Sequence, residues 1–172
     1  TGDIGKIRWN LYRNLVTLYL YSTSVSGDIA NLAGLSELVD LRLSSTSVSG
    51  DIANLAGLSE LANLYLSSTS VSGDISNLAG LSKLVDLRLH STSATCGSTF
   101  TASWVGMRNV QVQNCLMSQA AVGNIIESIW NARAGFTYAT PSLQIGGNNA
   151  APAGNVAAPP GDGASNSDWY WD

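Results

Sequence analysis

The sequence predicts an α/β solenoid. A parallel β-sheet should line its concave face, with short helical or irregular segments on the convex side and a C-terminal cap holding one longer helix. Three observations carry this expectation: a 23-residue period, an L-x-x-L-x-L spacing of apolar residues inside each period, and decay of both toward the C-terminus. A period of about 20–29 residues marks units that cannot bury an apolar face alone and do so by stacking.

The units start at Leu15, Leu38, Leu61 and Leu84 and open LVTLYLYSTSVSGDI, LVDLRLSSTSVSGDI, LANLYLSSTSVSGDI and LVDLRLHSTSATCGS. Within Leu38–Leu43, Leu41 and Leu43 point inward at strand spacing. Leu38, Val48, Ile52, Leu55 and Leu58 must then join the core from the turns and the convex side. Gly50-Asp51 reads as a turn whose Asp caps a short helical stretch, 52–58. Residues 1–14 retain Gly2-Asp3-Ile4 and read as a partial repeat, as of a processed or excised chain. No polar cap is visible there, so the Leu15 strand edge would need cover from elsewhere. Residues 15–106 hold the four regular repeats.

Residues 107–149 read as degenerate repeats forming the C-terminal cap. Cys96-Gly97-Ser98 replaces Gly-Asp-Ile, and Trp104 replaces a Leu. Met107, Val110, Val112, Cys115 and Met117 keep a fifth unit legible. Residues 118–133 predict a helix, with Ala121, Val122, Ile125, Ile126, Ile129 and Trp130 on one face, Ser118 as N-cap and Gly135 as stop. A sixth strand should carry Leu143 and Ile145 inward, with Asn148 in a side-chain ladder below it. Strands are thus expected at 15–20, 38–43, 61–66, 84–89, 108–113 and 142–146, in one sheet. Residues 150–172 form an Ala/Pro/Gly/Asn-rich tail with an aromatic tip, Trp169-Tyr170-Trp171. Such a tip is expected to dock on protein, most naturally on a neighbouring copy.

The L-x-x-L-x-L units resemble leucine-rich repeats. Ser49-Gly50-Asp51-Ile52 is similar to the plant-type subclass, without the Pro that follows Ile there. Thr23, Thr46, Thr69 and Thr92 stand where most such repeats carry Asn. The near-identical STSVSGDIANLAGL units also resemble surface leucine-rich-repeat proteins of bacteriophages and bacteria. That resemblance implies a non-enzymatic binding or structural module, extracellular or on a virion surface.

Composition narrows the partners. The net charge is −4 and charged residues make up 12% of the chain. A nucleic-acid partner needs a basic footprint, and an anionic membrane surface needs the same. No apolar run reaches the roughly 18 residues of a membrane helix, so no insertion is expected. A protein or glycan ligand is expected instead, with self-association or association with other structural proteins beside it. No cofactor is called for.

Two outward columns should run along the strand face. One is Tyr19, Arg42, Tyr65, Arg88; the other is Thr17, Asp40, Asn63, Asp86. Tyr alternating with Arg can stack by cation–π contact and stabilise the sheet, or form a recognition stripe, since both residues are enriched at binding hot spots. Asp28, Asp51 and Asp74 form a further column, which can cap backbone N–H groups or bridge calcium. Cys96 and Cys115 fall on adjacent coils, as buried thiols or a disulfide. His90 is the single histidine, on the outward face beside Ser91. With Asp86 it invites a Ser–His–Asp reading, but no nucleophile elbow or oxyanion loop accompanies it, so no catalytic residue is expected.

Overall fold

The computed structural model describes residues 2–98, 103–132, 142–149 and 169–170. The strands are β1 (Thr17–Tyr19), β2 (Ser26–Asp28), β3 (Asp40–Arg42), β4 (Ser47–Asp51), β5 (Asn63–Tyr65), β6 (Ser70–Asp74), β7 (Asp86–Arg88), β8 (Ser93–Thr95), β9 (Asn109–Gln111), β10 (Ser142–Gln144) and β11 (Trp169–Tyr170), with one α-helix, α1 (Gln119–Ala132), before β10. They form two sheets. The larger runs β1-β3-β5-β7-β9-β10-β11 and the smaller β2-β4-β6-β8. Every pairing is parallel, as one-handed coils require. In the larger sheet Leu18, Leu41, Leu64, Leu87, Val110 and Leu143 share one register row. Leu41, Leu64 and Leu87 are fully buried, as are Leu38, Leu61 and Leu84 in the turn before each strand.

The smaller sheet departs from the expected turn. Ser-Val-Ser-Gly-Asp carries one apolar residue, too few for a strand pattern. Stacking nevertheless lines up its backbones so that Val48, Val71 and Ala94 fill the core while the serines between them face outward. The expected helical stretch is shorter than 52–58: a single 3₁₀ turn spans Ile52–Leu55, with counterparts at Ile29–Leu32 and Ile75–Leu78.

The remnant at the N-terminus is a working coil. Ile4 is buried, Asp3 bridges to Ser26, and the Trp9 indole N–H donates to the Ile4 carbonyl at 2.8 Å. The first full coil is less well covered. Leu15, Leu18 and Leu20 are only partly buried, and Ile7, Leu11, Tyr12, Val16 and Tyr21 are exposed.

The C-terminal cap follows the sequence pattern in its core. Trp104, Met107, Val110, Val112, Cys115, Met117, Leu143 and Ile145 are all buried. Trp104 takes the place of a Leu because its indole N–H finds the Leu78 carbonyl at 3.0 Å, satisfying the one polar atom a buried Trp brings. Ser118 caps α1 by accepting from the Ala121 N–H. Arg133, Gly135, Trp171 and residues 150–168 lie outside the described residues.

Two corrections fall in this region. The ladder residue below β10 is Asn149, not Asn148. Its amide donates to Val112 and Ile145 carbonyls and its oxygen accepts from the Cys115 and Met117 N–H groups, while Asn148 offers its backbone N–H to Asn114. The sheet also has a seventh strand. Trp169–Tyr170 pairs with this chain's own β10, Leu143 beside Trp169 and Gln144 beside Tyr170. An open β10 edge would leave a row of unpaired N–H and C=O groups. A tethered segment meets that edge at high effective concentration.

Candidate concave recognition face

The concave strands place the two expected columns in register: Thr17, Asp40, Asn63, Asp86, Asn109 in one and Tyr19, Arg42, Tyr65, Arg88, Gln111 in the other. Their side chains bond to one another continuously. Arg42 grips Asp40 in a fork, Nε to Oδ1 and Nη2 to Oδ2, both at 2.8 Å. Arg88 repeats the fork on Asp86 at 3.1 and 2.8 Å. Each tyrosine donates its hydroxyl to the aspartate one coil ahead, Tyr19 to Asp40 at 2.9 Å and Tyr65 to Asp86 at 2.8 Å. Each asparagine donates to the aspartate one coil behind, Asn63 to Asp40 at 3.2 Å and Asn109 to Asp86 at 3.0 Å. The guanidinium of Arg42 sits between the rings of Tyr19 and Tyr65, 4.8 Å from each centroid, and that of Arg88 lies 4.3 Å over Tyr65.

The alternation solves a charge problem. A residue repeated in every coil would stack like charges about 4.8 Å apart. Here Asp and Arg occur only in the second and fourth coils, with Tyr, Thr or Asn between them. Burial pushes the Asp40 carboxyl up, but the hydrogen bonds from Arg42, Tyr19 and Asn63 outweigh it and hold the group below the ordinary carboxylate range. The Asp40 hydrogen bond raises the Tyr19 phenol in turn, and burial together with Asp86 raises that of Tyr65. Both guanidiniums are held above their ordinary value by the carboxylates they grip. The face is therefore a fixed mosaic whose charges are internally matched.

His90 follows the Arg88 strand and is half-buried. Desolvation and then the nearby Arg88 charge lower its pKa, so it is neutral at pH 7. Asp86 is occupied by Tyr65, Arg88 and Asn109, and no hydrogen bond joins His90 to it or to Ser91.

The remaining candidates make hydrogen bonds within the fold. Asp28, Asp51 and Asp74 each accept from the backbone N–H two residues on, at 2.8, 2.8 and 2.9 Å, as does Asp3 from Gly5. Each cap uses the Oδ1 oxygen of its aspartate, the arrangement of the capping reading. Among the described residues no group of three or more His, Cys, Asp or Glu could hold a metal ion. The disulfide alternative is also corrected. Cys96 and Cys115 are free and buried, each thiol aimed at a carbonyl of its own, Ser98 at 3.2 Å and Leu89 at 3.1 Å. The Thr column likewise closes its own turns: Thr46 and Thr69 donate to Leu43 and Leu66 carbonyls. Sequence reasoning missed a column beside it. Ser22, Ser45, Ser68 and Ser91 all adopt positive φ, 54 to 58°, as does Asn114 in the fifth coil. Asn114 was the one signal, since Asn tolerates that region.

No protein-family model and no curated protein matches the sequence. Solved structures do. The chain is similar to a pollen receptor kinase 3 structure at 20% identity and TM-score 0.66, over 87% of this chain and 70% of that one. It is similar to the Arabidopsis receptor kinase HAESA, solved with the peptide hormone IDA and the co-receptor SERK1, at 22% identity and TM-score 0.64, over 86% of this chain and 24% of that one. It also resembles the plant peptide hormone receptor RGFR1, solved with RGF2, at 24% identity and TM-score 0.53, over 62% and 20% of the two chains. The chain thus spans about a quarter or less of those two receptors. No helix among the described residues is long and apolar enough to cross a membrane. The repeat spacing, the two parallel sheets and these likenesses identify the fold as a leucine-rich-repeat solenoid.

Proposed function

We propose that this chain is a non-enzymatic recognition module that binds a protein partner through its concave face, in an extracellular setting or on the surface of a virion or bacterium. The observation that carries the reading is the pre-assembled stack of Tyr19, Arg42, Tyr65 and Arg88. Binding costs free energy wherever long side chains must be immobilised, about 0.5–1.5 kcal/mol each. Here the large residues are already held, so a partner meets an ordered surface rich in the residue types that dominate hot spots. The forked arginines already have their charge matched by Asp40 and Asp86, which favours a neutral, flat complement over an acidic one. The receptors of similar fold were solved with peptide hormones bound. That supports a peptide or protein ligand here without naming it.

The test is selection of binders from a displayed protein-fragment library, followed by affinity measurement against two variants. Binders should lose affinity for the concave variant R42S/Y65S/R88S and keep it for the convex variant S36E/S59E/S82E. Loss on the convex variant alone would reverse the assignment.

One observation favours a second reading, self-assembly through the ends of the solenoid. Ile7, Leu11, Tyr12, Val16 and Tyr21 are large apolar side chains exposed in and just before the first coil. Chain mass in solution across concentrations tests it: a concentration-dependent rise supports assembly, and a constant monomer mass contradicts it.

A further inference from the structure

The smaller sheet ends where the repeat breaks. Coils one to four each contribute a strand to it, Ser26–Asp28 in the first and a Ser-x-Ser/Thr strand in the next three. In the fifth coil Cys115-Leu116-Met117 leads into Ser118 and α1 instead. Strand β8 is therefore the last of its sheet. The sixth coil arrives late as well. Gln111 pairs with Gln144, 33 residues on, where earlier coils pair at 23. Beside this break a trough of about 530 Å³ runs from the third coil to the sixth, lined by Thr69, Ser70, Ser91, Thr92, Ser93, Asn114 and Asn148. Pockets of about 300–1,000 Å³ are the usual size for small ligands.

The lining is chemically uniform: hydroxyls and amides, with no charge and no aromatic ring. Two of its hydroxyls are spent, Thr69 on the Leu66 carbonyl and Thr92 on the Leu89 carbonyl. Among the described residues the side chains of Ser70, Ser91, Ser93 and Asn148 make no hydrogen bond, and Asn114 uses only its oxygen, toward the Asn148 N–H. Four donor-and-acceptor groups and the Asn114 amide N–H donors thus line one depression without a partner among the described residues. The backbone beneath them is fixed. Ser91 and Asn114 are locked in the left-handed region at φ 58°, and the Ser91 N–H is bonded to the Gln113 carbonyl. A charged ligand would find no counter-charge here, and an apolar one would strand these groups without partners, at about 1–3 kcal/mol for each group buried. A ligand dense in neutral hydroxyls matches them group for group.

We propose that this trough is a binding site for a neutral saccharide, separate from the concave protein-binding face. The site stands independently of that reading.

The test uses the whole chain, ¹⁵N-labelled, titrated at millimolar concentration with maltotriose, mannotriose, chitotriose and lactose, and with sialyllactose as an anionic comparison. At least one neutral sugar should shift the amides of Ser70, Ser91, Ser93 and Asn114. The S70V/S93V variant, with strand-favouring residues at two exposed positions, should weaken that binding about tenfold or more. If that variant misfolds, Asn148→Asp, which puts a charge in the trough, should give a similar loss. The concave variant R42S/Y65S/R88S should bind the sugar unchanged. The proposal is overturned if no neutral sugar moves these amides, if shifts fall only on the concave strands, or if sialyllactose alone binds.

Discussion

A β-carbon added to Gly50 would stand 2.1 Å from Oδ1 of Asp28, the carboxylate that caps the coil before it. Gly73 meets Asp51 in the same way at 2.0 Å, and Gly27 meets Asp3 at 2.4 Å. All three glycines have φ between 110 and 112°. Two demands converge on the position: a backbone region that is essentially glycine's own, and room for the neighbouring cap. Gly50→Ala should therefore destabilise the chain by at least about 2 kcal/mol, from backbone strain plus a displaced cap. Chemical denaturation measures this. A loss under about 0.5 kcal/mol, the level of an ordinary surface change, would contradict it.

The left-handed serines predict the opposite sign. Ser45 and Ser68 are exposed and sit at φ 57 and 56°. A non-glycine residue loses about 1–2 kcal/mol in that region, and Asn less, as Asn114 illustrates in the fifth coil. Ser45→Asn should raise stability by a few tenths to about 1 kcal/mol, and Ser45→Val should lower it by about 1 kcal/mol or more. Thermal melts of the pair rank the two. Equal melting temperatures would show that the φ column costs nothing.

Asp40 links stability to pH. Its folded pKa is depressed, so its contribution is fully present above the ordinary carboxylate value, about 3.9, and is lost as pH falls through the lower folded value. Asp40→Asn leaves Arg42 without its forked acceptor and should cost about 1–2 kcal/mol at pH 7, discounted because Arg42 is one-third exposed. The gap between wild type and variant should hold down to about pH 4 and narrow below it. A gap that stays constant down to about pH 2 would mean the fork contributes nothing through its charge.

The two cysteines should be inert. Burial raises both thiols, Cys96 to about 12. For Cys96 any stability tied to the neutral thiol is fully present below the ordinary value, about 9, and is lost as pH rises from there through about 12. A thiol-specific chromogenic reagent at neutral pH should label the native chain slowly and both cysteines promptly after denaturation. Rapid labelling of the native chain would contradict their burial.

Much of this architecture is legible in the sequence, because a near-identical repeat turns one strand assignment into four. The inward Leu41 and Leu43 and their counterparts needed only alternation. Even the degenerate fifth coil was visible through Val110, Val112 and Cys115. The smaller sheet was not legible, because Ser47–Asp51 has a single apolar side chain and its strand character comes from stacking alone. Asn149 took the ladder from Asn148 because one residue more separates β10 from the ladder than in the coils before, with Asn149 four residues past Ile145 where Thr46 is three past Leu43. The concave columns were visible as columns. What alternation could not show is that Asp40 and Asp86 bind Arg, Tyr and Asn together, which makes the face self-satisfied as well as ordered.

The central claim is that this ordered concave face is where a protein partner binds. The most direct measurement is calorimetric titration of a selected protein binder into wild type, into R42S/Y65S/R88S and into Ser44→Trp, which adds bulk to the concave side without removing any member of the stack. Circular dichroism at the titration temperature establishes that each variant is folded. Both folded variants should bind about tenfold more weakly or worse, a loss of about 1.4 kcal/mol or more. Unchanged affinity in a folded variant with the stack removed or obstructed would contradict it.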